Sequence, residues 1–322
     1  MDFWLTDDQR DLQDGIRTFV QGRFSLDETA AREETDAVID VAKWREIGEM
    51  GVFSLRRDGF DNRSAVLVFE ELGRGLVPGP LVATHLAVGL IDGAAEGTAI
   101  VSMLEEGTGP TLVEHAVQAT DLIRFTDGVV ECIEPASLTL GTVDRPLDAL
   151  TPVWTVTDGE GIAGMPLTAG DAEALRLAGT VFTAAMQVGV AAAALELATA
   201  YAMEREQFGR PIGSFQAVKH LLAEMFVKSD VARSAVHAAA CALDDASDDD
   251  PVRAASVAKI TAGDAALFCG KTGIQVHGGM GFTWEVHAQR YWKRAVVLDN
   301  NFGTSEHHAQ LVAGMIGSRA AG

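Results

Sequence analysis

The chain has 322 residues, 48% hydrophobic and 22% charged, which excludes wholesale disorder and gives room for about two domains with real cores, or two and a smaller third. Its 25 Lys and Arg face 46 Asp and Glu, a formal net charge of −21 spread along the chain, so a nucleic-acid backbone is excluded as a natural partner. Cys132, Cys241 and Cys269 are odd in number, widely spaced and without a CxxC pair, and the acidic start MDFWLTDDQRD lacks the basic flank of an export signal; reduced thiols and a cytoplasmic location are expected.

The first hundred residues read as short helices. Thr6 and Gln9 form a capping-box start for a helix running to about Gly22, with Leu12, Ile16, Phe19 and Val20 on its apolar face. Asp40 caps a second helix, VAKWREIGEM, which stops at Gly51. A third is SAVLVFEELGRG, and a fourth runs from Pro80 to about Asp92. Between about Thr98 and Leu167 the short apolar runs AIVSML, DLIRFTDG, GVVECI, SLTLGTV and PVWTVT alternate with turn residues and predict strands. About seventy residues suffice only for a small sheet, expected as a reduced barrel or sandwich.

Longer helices follow. One is expected from Ala172 to Phe208, ended by Gly209 and Pro211; within it Val181 to Ala200 is long and apolar enough to suggest a membrane span, but its many alanines, with Gln187 and Glu196, favour a buried bundle helix. Ser214 is expected to cap the next, which reaches Asp244. After the acidic loop DDASDDD, Asp250 caps a helix with Pro251 at its first position. The cluster HGGMG breaks that helix after Val276; a fourth covers Glu285 to about Leu298, and a last begins near Thr304. The expected architecture is mainly α with a small central β domain: N-terminal helices over residues 1–97, a reduced β domain over 98–168 and a helical bundle over 169–322.

Two motifs in the bundle carry chemistry. In YAMEREQFGRPIGSFQAVKHLLAEM, residues 201–225, Arg205 and Phe208 lie three apart at a helix end and would share a face, presenting a guanidinium beside an aromatic ring. That pair suits a pyrophosphate next to an adenine; the bland alternative is a surface ion pair and a buried Phe. In QVHGGMGFTWE, residues 275–285, successive glycines let backbone approach a ligand closely, the alternative being a plain helix-ending turn.

Together these motifs resemble the acyl-CoA dehydrogenase flavoprotein family, with support from VFEELGRGLVPGPLVAT at residues 68–84. The resemblance covers the whole chain, is strongest after residue 180 and is poor in the middle. It implies helices, a β domain and a four-helix bundle. It also implies that Arg205, Gln207, Phe208 and Gln216 hold the adenosine diphosphate half of FAD, with Gln275, Gly278 and Gly279 beside it, in both cases for the neighbouring subunit.

What the family's chemistry needs is missing. A carboxylate base must take the α-proton of an acyl-CoA thioester while hydride leaves the β-carbon for the flavin. By resemblance its seat is the Glu of an EGT turn; here DNNFGTSE places Phe302 there. The family's other seat, 26 residues before Arg205, holds Gly179, followed by Thr180. The middle region also lacks the TEPxxGSD-like and GxKxWI-like segments that seat the isoalloxazine ring in relatives. No catalytic residue is therefore assigned. Glu306, four residues after Phe302, and Glu285 are candidates for a relocated base, although an acid at a helix start is more simply a solvated N-terminal charge. The tandem His307 and His308 lack metal-ligand spacing, and no metal site is expected.

The expected function is a degenerate subunit of a heteromeric acyl-CoA dehydrogenase, an α2β2 assembly with a catalytic chain that binds the acyl-CoA and shares FAD. The GFTWE segment is similar to actinobacterial relatives that act on steroid side-chain CoA thioesters. The competing readings are a stand-alone dehydrogenase with a relocated base and a purely structural interaction subunit.

Overall fold

The computed structural model describes residues 4–35, 37–105, 110–126, 128–157, 164–167, 172–245 and 250–320, with side chains to residue 317. Part of the acidic loop, residues 246–249, lies outside the described residues. The chain divides into two compact units: residues 1–26, 62–77 and 180–322 form the first, and 27–61 with 78–179 the second.

In the first unit, α1 (Asp7–Arg23) begins with the expected capping box, Thr6 and Gln9 each satisfying the other's backbone N–H. It lies along α4 (Asn62–Arg74), where Arg17 forms two hydrogen bonds with the buried Glu71 carboxylate, at 3.1 and 2.7 Å. The adjacent Glu70 is paired with Arg233 of α7 (Gln216–Asp244). Burial of two consecutive acids on α4 is thus tolerated because each meets an arginine.

The long α6 (Ala172–Glu204) crosses α4 at very short range. A Cβ on Gly189 would sit 1.9 Å from the Glu70 carbonyl oxygen, and one on Gly73 would sit 2.2 Å from that of Met186. The absence of both side chains lets the backbones touch, and Phe69 stacks on Phe182 beside the crossing at 5.0 Å. Over its most apolar stretch α6 is 78% buried, as expected of a bundle helix. Asp250 accepts from Val252 and Arg253 N–H to cap α8 (Pro251–His277), and α9 (Ala288–Asn300) and α10 (Ser305–Ala320) complete the bundle. Tyr291 and Arg294 of α9 donate to the carbonyls of Arg74, the last residue of α4, and of Val77 just beyond it.

The second unit holds α3 (Val41–Glu49), capped by Asp40 as expected, and α5 (Leu81–Leu86), shorter than expected because its chain breaks into turns before Asp92. A short α2 (Leu26–Ala30), which the sequence did not suggest, precedes α3 in the chain. Trp44, almost fully buried, packs on Phe53 and donates to the Ala99 carbonyl at 3.4 Å.

The strands are β1 (Val101–Glu105), β2 (Leu112–Glu114), β3 (Asp121–Thr126), β4 (Val129–Ile133), β5 (Leu140–Thr142), β6 (Val153–Val156) and β7 (Met165–Leu167). They form one sheet in the order β5-β6-β2-β1-β3-β4-β7, with β1 and β3 parallel and the other pairs antiparallel. The expected barrel or sandwich is therefore corrected. Among the described residues the sheet is open, with three-residue strands at both edges, and its core is Leu104, Val113, Leu122, Ile133 and Trp154. Such short edge strands cannot pair across to close a barrel.

Candidate functional site

The expected helix to Phe208 is also corrected: α6 stops at Glu204. Glu206–Gln207 (β8) then pairs with Arg210–Pro211 (β9), and the Ile212 N–H reaches back 2.8 Å to the Arg205 carbonyl. The turn is made by Phe208 and Gly209, with φ of +55° and +76°. A two-residue hairpin turn of this kind wants positive φ at both central positions, which glycine supplies freely. A phenylalanine does so only under strain.

Phe208 is 91% exposed, meeting Phe215 edge-on at 6.0 Å. The Arg205 guanidinium makes no hydrogen bond or ion pair with any described residue, although Glu204 and Glu206 flank it. The bland alternative, a surface ion pair with a buried Phe, is met in neither half. Gln207 is exposed and donates to the Glu206 carbonyl at 2.8 Å.

Two contributors were missed by sequence reasoning. The Arg210 guanidinium lies 4.1 Å from the centre of the Phe215 ring, and Phe215 is the residue just before α7. The signal was the composition FGRPIGSF itself, but no helical period relates residues that meet across a hairpin. Ser214 does not cap α7, because a single 3-10 turn over Ile212–Ser214 shifts the start and leaves Phe215 in the cap position without a side-chain hydrogen bond. The first amides of α7, beginning at Gln216, are thus left without a capping side chain at the positive end of a 29-residue helix.

The second motif leaves the same end of the bundle. The Tyr201 ring, one turn before the end of α6, stacks on His277, the last residue of α8, at 4.3 Å. His277 Nδ1 lies 2.7 Å from the Gly273 carbonyl, so that nitrogen carries the proton and the ring is held flat against tyrosine. Gly278 follows with φ +61° and opens a 3-10 turn over Gly278–Phe282. Gly278 and Gly279 are exposed, and a Cβ on either would meet nothing within 4 Å. Gln275 is exposed one turn earlier. The arginine hairpin, the start of α7 and the glycine turn are therefore brought together at one end of the first unit.

The turn between α9 and α10 is built differently. Phe302 is buried, at 4% exposure, with φ +57°. His308 Nε2 donates to its carbonyl at 2.9 Å and Nδ1 accepts from the Ser256 hydroxyl at 3.1 Å. The fully buried Lys259 donates to the carbonyls of Leu298 and Asp299, both at 3.0 Å, closing the end of α9. Asp299 in turn accepts from the Ser305 hydroxyl at 2.5 Å. This turn is rigidly tied and ends in a phenyl ring, which can neither take nor give a proton. Gly179 is buried on α6, and Glu306, in the first turn of α10, and Glu285 are both exposed.

Residues 6–98 match the family described as acyl-CoA dehydrogenase, N-terminal domain, and residues 178–316 the one described as acyl-CoA dehydrogenase, C-terminal domain. The acyl-CoA dehydrogenase IpdE2 of Mycolicibacterium smegmatis is 30% identical over 311 residues, 90% of this chain and 93% of that protein. The chain belongs to the acyl-CoA dehydrogenase family. Two solved structures share its fold: a steroid acyl-CoA dehydrogenase, Tcur3481–Tcur3483, with a TM-score of 0.83 at 21% identity over 98% of this chain and 99% of that one, and the ChsE4–ChsE5 complex of Mycobacterium tuberculosis, with 0.82 at 21% over the same shares. Membership makes FAD the cofactor implied for this acyl-CoA dehydrogenase fold.

Proposed function

We propose that this chain is a non-catalytic subunit of a heteromeric, FAD-dependent acyl-CoA dehydrogenase, completing the cofactor site of a different, catalytically complete chain. The observation that carries the reading is the hairpin: it holds a strained, 91% exposed Phe208 beside an Arg205 that pairs with no described residue.

The residues fit the adenosine diphosphate half of FAD. The Arg205 guanidinium matches a pyrophosphate oxygen pair, the uncapped amides of the first turn of α7 from Gln216 onward add positive partial charge, and Phe208 offers a ring for adenine. Gly278 and Gly279 leave space that a Cβ would fill, and the Gln207 and Gln275 amides are exposed at the same end. When bound, FAD supplies the hydride acceptor for α,β-dehydrogenation of an acyl-CoA. This chain's residues bind and orient; they do not move the α-proton, because Phe302 stands where the family's EGT glutamate would.

The names of the similar structures support heteromeric assembly and a bulky substrate, since one is a two-component steroid dehydrogenase and the other a two-chain complex. We assign this chain accordingly to a cytoplasmic α2β2 complex acting on a steroid side-chain CoA thioester or a similarly bulky acyl-CoA. Expressed alone it should be colourless and inactive; co-purified with the catalytic chain it should be yellow, with one FAD per heterodimer. A flavin spectrum with dehydrogenase turnover from the isolated chain would overturn the reading in favour of a relocated base at Glu306 or Glu285.

A further inference from the structure

Inside the first unit, beside the tied turn between α9 and α10, lies a polar side chain that no bond of the chain accounts for. Gln187 of α6 is fully buried, and neither its amide nitrogen nor its amide oxygen has a hydrogen-bond partner among the described residues. A buried amide left so is costlier than an apolar side chain of the same size. Gly263 of α8 shows what the amide faces. A Cβ there would lie 2.2 Å from Ser305 Oγ, 2.8 Å from Asp299 Oδ1 and 3.5 Å from Gln187 Nε2, so the three polar atoms surround one point. Glycine lets them converge, since any side chain at 263 would strike the serine hydroxyl. The same distances hold Gln187 Nε2 within the span of one water from both oxygens, although it bonds to neither.

We propose that Gln187, Asp299 and Ser305 bind an ordered water, which accepts from the Gln187 amide and donates to the Asp299 carboxylate, tying α6 to the turn that carries Phe302. The charges select water over an ion. The Lys259 ammonium lies 3.9 Å from Asp299 Oδ1, so the carboxylate is already met from its own chain and a second cation would be repelled. Asp299 itself bars an anion. Ser305 donates its hydroxyl proton to Asp299 at 2.5 Å, which leaves the serine oxygen able to accept, and gives the water a third partner. Because water both donates and accepts, it serves the amide whichever of its two atoms faces the glycine, which no ion can do. The bridge adds α6 to the ties from Lys259 and His308 that already fix this turn on α8. The water site holds whether or not the chain shares a cofactor.

Crystals of the full chain should show a density peak within hydrogen-bond distance of Gln187 and Asp299, with no anomalous signal after a soak in rubidium chloride. A rubidium signal at the peak overturns the proposal in favour of a monovalent cation, and the absence of a peak overturns it in favour of a dry amide. Thermal unfolding of Gln187→Leu separates the wet and dry cases by sign, because leucine fills nearly the same volume without the amide. With the water in place the variant loses the bridge and melts about 1 to 4 °C below wild type. With a dry amide the leucine relieves an unmet polar group, and a transition at or above that of wild type overturns the proposal. Should Gln187→Leu fail to fold, the density in wild-type crystals decides alone.

Discussion

Arg205 stands between two glutamates and pairs with neither. A charge-assisted hydrogen bond to a phosphate oxygen contributes about 1.5 to 3 kcal/mol, and about 1.4 kcal/mol is tenfold in affinity. Arg205→Ala should therefore weaken FAD retention in the complex roughly 10-fold to 150-fold, read as flavin leaching on dilution and activity restored by added FAD, with the assembly unchanged in size. A wild-type FAD dissociation constant in this variant would reduce Arg205 to a surface charge. Phe302→Glu should not yield an efficient second active site, since the isoalloxazine-seating segments remain absent from the sequence. A doubling of active sites per complex would show that the flavin seat was intact. At this scale the exposure of Arg205 and Gln207 at the end of α6 was legible in the sequence, because the FGRP run ends a helix there. Their arrangement was not, because Phe208 reaches its position through a backbone conformation that its own side chain disfavours.

The crossing of α4 and α6 shows what an element asks of its sequence. Two helices approach until backbone meets backbone, and the cause is two glycines that cost helix propensity where they stand. Gly189→Ala should force the crossing apart and destabilise the first unit by about 1 to 3 kcal/mol, or prevent its folding. Thermal unfolding checks this, and an unchanged transition would mean that α6 has room to slide. Helix starts were well read from the sequence wherever a side chain caps the backbone, as at Thr6, Asp40 and Asp250. They were misread at Ser214, where the next turn takes over, and at the end of α6, where a hairpin competes with one more helical turn. The strands β2 and β7 were missed because each has only three residues and no longer apolar run around it, unlike the equally short β5 within SLTLGTV.

Across the whole molecule the acidic balance hides buried bases, among them two histidines pushed well below their usual range. Burial, with Arg56 nearby, pushes His85 down to about 4, and burial, with Arg233 and Arg63 nearby, does the same to His237. Each is held neutral in the fold but accepts a proton near pH 6.5 when unfolded, so its contribution is intact above that pH and is lost as pH falls toward 4. Glu70 acts in the opposite direction: burial raises it, outweighing Arg233, and acid relieves its cost. The histidine effect is isolated by comparing wild type with His237→Gln in chemical denaturation. The stability difference between them should fall by about 1.2 kcal/mol from pH 7 to pH 5.5. A difference that does not vary with pH would mean that the ring titrates normally in the fold. The order of helices, small sheet and bundle was legible at this scale, because composition changes sharply at its borders. The open sheet was not, since closure depends on pairing between distant strands.

The hairpin has a consequence for the life of the protein in the cell. With nothing over the hairpin, the newly made chain holds an aromatic ring on a strained turn in water, the kind of surface that holdase chaperones bind and that proteases survey. If the proposed assembly holds, orphan copies would be cleared and paired copies kept, so the amount of this subunit would follow the supply of its partner even if the two were synthesised unequally.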